Sequence, residues 1–197
     1  MKIIVIGASG HVGSAVVDAF QGRHEVITAS RSTEPPLDVT DPDSIARFLG
    51  SVGQVDAIVS CVGSVPFKPL GELGRDDYVA AFTGKVLSQL DLVRIGTPYL
   101  RDGGSFTLTS GILAREPIVT GAAAAMANGA VESFVISAAT ELPRGIRMNV
   151  VSPTVLLEAT GYHSSFPGFV PVPGAIVAQS YVKSVESAQT GQIFRID

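Results

Sequence analysis

Short β-branched runs alternate along the chain with longer stretches of helical period. Lys2–Ile6 carries four consecutive aliphatic residues and stops at Gly7; Glu25–Thr28, Ala57–Cys61, Ser105–Thr109, Met148–Val151 and Gln192–Ile196 have the same character and predict strands. Between them lie segments of helix length at His11–Gln21, Pro42–Gly50, Asp76–Ile95, Gly121–Leu142 and Ala175–Val185. Asp41 before Pro42 marks one helix start, because the carboxylate can accept from a free N–H and proline at the first position gives up no needed donor. Strands separated by helices pair in parallel through right-handed crossovers. The expectation is an α/β fold, a single-domain Rossmann-like doubly wound parallel sheet of about seven strands with helices on both faces, spanning residues 1–197. Ligands of such a sheet bind beyond the carboxyl ends of its strands. The irregular, proline-containing stretch 153–174 is long for a structureless connection and reads as a substrate lid.

Composition narrows the function. The formal net charge is −4 and no Lys/Arg block occurs, so the electrostatic footprint of a nucleic-acid binder is missing. Gly, Pro or charged residues interrupt every apolar stretch before bilayer length, which predicts no membrane span. The lone Cys61 lies in an apolar run, as expected of a buried packing thiol in a cytoplasmic protein. His11, His24 and His163 show no metal-ligand spacing, and no metal is expected.

The first strand runs directly into Gly7-Ala8-Ser9-Gly10-His11-Val12-Gly13, which opens the first helix. Glycines at a strand-to-helix turn allow a tight reversal and close approach of the backbone to a pyrophosphate, and the helix N-terminus offers free N–H groups to it. Gly7, Ser9, Gly10, His11, Val12 and Gly13 are the candidate residues. The second strand ends in Ser30-Arg31-Ser32, where an NAD site usually carries a carboxylate. A guanidinium flanked by hydroxyls suits a 2′-phosphate, which predicts NADP(H) in preference to NAD(H).

Further landmarks follow: Leu37-Asp38-Val39, then Ser60-Cys61-Val62-Gly63, Thr109-Ser110 after a strand, Arg147-Met148-Asn149-Val150-Val151-Ser152-Pro153, and Thr190-Gly191-Gln192 near the end. In this order and spacing the chain resembles the short-chain dehydrogenase/reductase family from end to end. The resemblance implies that Asp38 and Val39 contact the adenine, that Cys61, Val62 and Gly63 form the cofactor-side strand end, that Ser110 is the catalytic serine and that Pro153 contacts the nicotinamide. It also implies a homodimer or homotetramer built on the helices at Asp76–Ile95 and Gly121–Leu142.

The family's tyrosine and lysine, four residues apart on one helix face, are missing. Alignment puts Ala124 and Asn128 at their places, and Gly121–Leu142 contains no tyrosine or lysine in any register. Lys85 stands where the family has an asparagine in the preceding helix, so asparagine and lysine look exchanged. The expected function is NADP(H)-dependent oxidoreduction of a small carbonyl or alcohol with a non-standard catalytic site of Ser110, Lys85 and Asn128. Ser110 would donate a hydrogen bond to the carbonyl oxygen, and Lys85 would orient ribose hydroxyls, stabilise an alkoxide or relay a proton. Tyr162 and His163, in the lid segment, are further candidates for the acid. The alternative is a catalytically inactive dinucleotide-binding sensor, regulator or scaffold.

Overall fold

A computed structural model describes residues 1–197. The six β-branched runs become six strands: β1 (Lys2–Ile6), β2 (Glu25–Ala29), β3 (Val55–Ser60), β4 (Leu100–Thr109), β5 (Arg147–Pro153) and β6 (Ile193–Ile196). All neighbours pair in parallel, in the order β2-β1-β3-β4-β5-β6. The sheet therefore reverses its winding between β1 and β3, and a crevice opens there beyond the strand ends. The expected seventh strand is absent. The six predicted runs account for every strand of the sheet, and the stretch between β5 and the last helix makes only an isolated Leu156–Val172 bridge and a 3-10 turn at Thr160–Ser165.

Side chains alternate across each strand, so both faces of the sheet are apolar and both are covered. Ile3, Val5, Ala57 and Val59 pack against Val16 and Phe20 of α1 (His11–Phe20) and Val177 and Tyr181 of α6 (Gly174–Glu186). Ile4, Ile6, Ile58, Phe106 and Leu108 face the opposite layer, formed by α2 (Pro42–Val52), α4 (Ser88–Gly96) and α5 (Ala122–Ala138). Asp41 caps α2, its carboxylate accepting from the Asp43 N–H at 2.9 Å with Pro42 at the first position, as the sequence predicts.

The helix predicted at Asp76–Ile95 is present without a break, but its register changes within it. It divides into α3 (Arg75–Ala81), a π-helical turn at Phe82–Leu87 and α4, and Lys85 lies inside the π turn. The π geometry lets Gly84 press against Ser64, whose N–H donates to the Gly84 carbonyl at 3.2 Å. A Cβ on Gly84 would sit 2.8 Å from the Ser64 carbonyl oxygen. The helix predicted at Gly121–Leu142 ends at Ala138, ahead of the turn that carries Arg144 at φ 57°. No helix is long and apolar enough to cross a membrane.

Candidate functional site

Two of the three glycines at the passage from β1 into α1 are required by contacts of the chain with itself. A Cβ on Gly7, which has φ 81°, would lie 2.8 Å from the Cys61 carbonyl oxygen, and one on Gly13 only 2.0 Å from the Gly7 carbonyl oxygen. Gly10 differs: the nearest atom to its Cβ position is 3.5 Å away, so its lack of a side chain keeps a cleft open rather than admitting a neighbour. α1 starts at Gly10 with no side-chain cap and no acidic residue in its first turn, leaving the helix N-terminus free to receive an anion.

That cleft has a volume of about 440 Å³ and gathers Gly7, Ser9, Gly10, Ser30, Arg31, Asp38, Val39, Cys61, Val62 and Gly63 from the ends of β1, β2 and β3. The remaining predicted residues of this group do not line it. His11 is exposed and faces a groove between α1 and α6 with Asp18 and Glu158. Val12 is half-buried against the α1–α6 core, Gly13 is a packing glycine, and Ser32 is exposed, its hydroxyl 3.0 Å from that of Ser30. Asp38, expected from the resemblance as an adenine contact, puts a carboxylate in the same cleft as Arg31. Asp38 accepts from the Thr40 N–H at 2.9 Å and its hydroxyl at 2.7 Å. These bonds, with the Arg31 charge nearby, hold its carboxyl below the usual range. Burial pushes the Cys61 thiol up to about 12, so it is a neutral packing group.

Gly63 also borders a second, inner cavity of about 220 Å³. Lys85 from the π turn, Ser110 after β4, Asn128 from α5 and Pro153 at the end of β5 meet around it, and Phe67, Tyr162 and Phe166 line it as well. His163 does not; its Nε2 lies 2.9 Å from the Leu156 carbonyl oxygen. Ala124, at the place of the missing tyrosine, is part of the wall.

Lys85 is 8% exposed. It lies along Gly63, where an added Cβ would come within 2.8 Å of Nζ, and the ammonium donates to the Ser110 carbonyl oxygen at 3.3 Å. It has no carboxylate partner, and burial lowers its pKa from the ordinary 10.5 to about 8. Gln89, one turn further on, fixes this helix to the end of β4: its amide donates to the carbonyl oxygens of Lys85 (3.1 Å) and Thr109 (2.9 Å), and its oxygen accepts from the Thr109 N–H at 2.8 Å. Asn128 is also buried, and its Oδ1 has no hydrogen-bond partner in the protein.

Ser110 has a hydrogen-bond partner that its expected role does not include. Its hydroxyl donates to Glu132 Oε1 at 2.7 Å. Ser152 donates to the same oxygen at 2.7 Å, and Arg115 Nη1 donates to Ser152 Oγ at 2.8 Å. Sequence reasoning missed Glu132, Ser152, Arg115 and Gln89. Two of them carried a signal: Glu132 is the one acidic residue of α5 and stands four residues after Asn128, and Gln89 stands four after Lys85, spacings that share a helix face.

A doubly wound parallel sheet with a glycine turn at its switch point places the molecule among Rossmann-like α/β proteins. Over residues 14–193 the sequence matches the protein family described as enoyl-(acyl carrier protein) reductase, and the chain belongs to the short-chain dehydrogenase/reductase family of oxidoreductases. It is similar to the protein lin1944 of Listeria innocua, at 50% identity with both chains fully covered and a TM-score of 0.98. It is also similar to the hydroxynaphthalene reductase-like protein Arp2 of Metarhizium brunneum, at 30% identity over 146 residues, 69% of this chain and 55% of that protein. The matched region thus spans about half the length of that relative. A small-chain dehydrogenase solved in complex with NADPH shares the fold, with a TM-score of 0.88 at 23% identity, covering 100% of this chain and 96% of the other.

Proposed function

We propose that this protein is an NADP(H)-dependent oxidoreductase acting on a small carbonyl or alcohol, with Lys85 serving in place of the family's tyrosine and lysine. One observation carries this reading: the buried side chains Lys85, Ser110 and Asn128 line a single cavity that adjoins the glycine-bordered cleft at Gly63. The residues present fit the cofactor. A Cβ at Gly10 would fill part of the cleft, and the unpartnered Asn128 Oδ1 is an acceptor awaiting a hydroxyl. Gly7, Ser9 and Gly10 would hold the pyrophosphate, Arg31 with Ser30 the 2′-phosphate, Asp38 and Val39 the adenosine, and Asn128 with Cys61–Gly63 and Pro153 the nicotinamide half. The similar small-chain dehydrogenase solved with NADPH supports the choice of cofactor.

When bound, NADPH supplies the hydride. The ammonium of Lys85 stabilises the negative charge that grows on the substrate oxygen and transfers one proton to it, leaving a neutral amine that recovers its proton from water. A pKa near 8 suits a general acid working near neutral pH. Phe67, Tyr162 and Phe166 give the cavity a largely apolar wall against which a small organic carbonyl can pack.

Ala124 in the cavity wall supports a second reading, in which the protein binds the dinucleotide without turnover and acts as a sensor or regulator. Calorimetric titration with NADPH and NADH, followed by a panel of aldehydes, ketones and quinones, separates the two. Tighter binding of NADPH and its oxidation by a panel member support the enzyme. Preference for NADH removes the NADP assignment, and tight binding with no oxidation favours the sensor.

We also propose that the protein is a homo-oligomer. Val79 of α3, Phe82 and Leu87 of the π turn and Met126 of α5 form an exposed apolar patch on the helices through which the resemblance predicts self-association.

A further inference from the structure

A buried chain of polar side chains runs behind the inner cavity and connects three elements: Arg115 after β4, Ser152 in β5 and Glu132 in α5 meet Ser110 at the end of β4. Its hydrogen-bond directions follow from what each group can do. Arginine is only a donor, so the bond from Nη1 to Ser152 Oγ makes that oxygen an acceptor and sends the Ser152 proton to Glu132 at 2.7 Å. An ionised carboxylate is only an acceptor, so Ser110, 2.7 Å from the same Oε1, must also give its proton to Glu132. Hydrogen bonds to a charged acceptor are roughly twice as strong as neutral ones, and here they are shielded from water. The Ser110 backbone cannot swing away, since its N–H donates to the Val151 carbonyl oxygen at 2.9 Å.

We infer that Glu132 is a positioning residue of the candidate site: by taking the Ser110 proton it turns Ser110 into an acceptor toward the cavity, leaving Lys85 as the proton donor. This inference rests on the proposed function for its catalytic consequence, and on the hydrogen-bond chain for its geometry. The Lys85 ammonium already meets the carbonyl oxygen of Ser110 at 3.3 Å. With the hydroxyl proton on the Glu132 side, the lone pairs of Ser110 Oγ are left to the cavity that Lys85 also lines, and this polarity favours the charged form of the ammonium. Were the hydroxyl to flip, its dipole would oppose the ammonium and the lysine would lose its proton more easily. Of the other titratable groups around Lys85, Tyr162 lines the same cavity and Glu132 stands behind Ser110; neither forms an ion pair with it.

The test reads Lys85 directly. The chain has four lysines, Lys2, Lys68, Lys85 and Lys183, so the protein made with 13C-labelled lysine gives few Cε signals, and Lys85→Met assigns the one of interest. Glu132→Gln removes the charge but keeps an oxygen able to accept both serine protons; Glu132→Met has similar size and no acceptor. The expected result is that wild type and Glu132→Gln titrate alike, whereas in folded Glu132→Met the Lys85 midpoint falls by about half a pH unit or more. A Lys85 midpoint unmoved in Glu132→Met overturns the inference. So does a Glu132→Gln shift as large as that of Glu132→Met, because charge rather than orientation would then be responsible. Should Glu132→Met fail to fold, Ser110→Ala takes its place: removing the oxygen must lower the Lys85 midpoint, and no shift again overturns the inference. The titration needs neither cofactor nor substrate, so failure of the functional reading and failure of this one are separate results.

Discussion

The glycine turn permits a comparison between two substitutions of equal size and opposite consequence. In Gly13→Ala the new Cβ would lie 2.0 Å from the Gly7 carbonyl oxygen, 2.7 Å from its carbonyl carbon and 2.8 Å from Ala8 Cα. All three obstacles are backbone, so no side-chain rotation relieves the contact. Reaching even 3.0 Å requires α1 and the turn to separate by 1.0 Å or more. That motion would pull Val16 and Phe20 away from the sheet and α6. Overpacking of this kind costs about 1–3 kcal/mol, and the rigid obstacle puts Gly13→Ala at the upper end. In a chain of this size each kcal/mol lowers the melting temperature by about 2–4 °C, so the expected fall is about 6–12 °C. Gly10→Ala meets nothing closer than 3.5 Å, and its melting temperature should stay within about 2 °C of wild type. Its methyl group enters the cleft instead, and NADPH affinity should fall at least about tenfold, the loss of one close charge-assisted contact. Thermal melts of both variants and fluorescence titration with NADPH measure these quantities. A Gly13→Ala protein as stable as wild type would refute the packing argument. A Gly10→Ala protein with unchanged NADPH affinity would place the dinucleotide elsewhere.

Arg31→Ala should weaken NADPH about tenfold to a hundredfold while leaving NADH nearly unchanged, because only the 2′-phosphate is proposed to engage the guanidinium; equal losses for both cofactors would count against that contact. Lys85→Met should raise stability at pH 7. The lysine's pKa of about 8, against an ordinary 10.5, means that keeping it protonated in the fold costs about 3 kcal/mol. Between pH 8 and 10.5 the unfolded chain holds a proton that the folded chain has lost, so wild-type stability rises relative to Lys85→Met and the gap narrows. Urea unfolding at pH 7 and 10 measures this, and a constant gap would contradict the burial account. Phe82, 40% exposed in the apolar patch, should on change to Asp convert the oligomer to monomer by light scattering without lowering NADPH affinity; unchanged mass would remove the patch from the interface.

Strand placement was legible because burial on both faces leaves the strands as unbroken aliphatic runs such as Ile3–Ile6, and the glycine turn because three glycines stand directly after the first. The different places of its members were not legible: helix geometry turns His11 outward and uses Gly13 to fit the chain against itself. Asp38 was legible as an adenine contact but not as a neighbour of Arg31, because six residues of intervening loop bring the two into one cleft. Lys85 was identifiable as out of place, but not the π turn that holds it, since a π turn leaves no periodic mark in six residues. The partner of the Ser110 hydroxyl was not legible because Glu132 lies 22 positions away on a helix, where packing rather than spacing makes the pair.

The most direct test of Lys85 as the group that replaces the missing tyrosine and lysine is stopped-flow oxidation of bound NADPH by a reactive carbonyl, in wild type and Lys85→Met. NADPH affinity is measured on the same samples. The account predicts similar NADPH affinity and a rate at least about a hundredfold lower in Lys85→Met, as loss of a general acid entails. Wild-type turnover retained by Lys85→Met would contradict it.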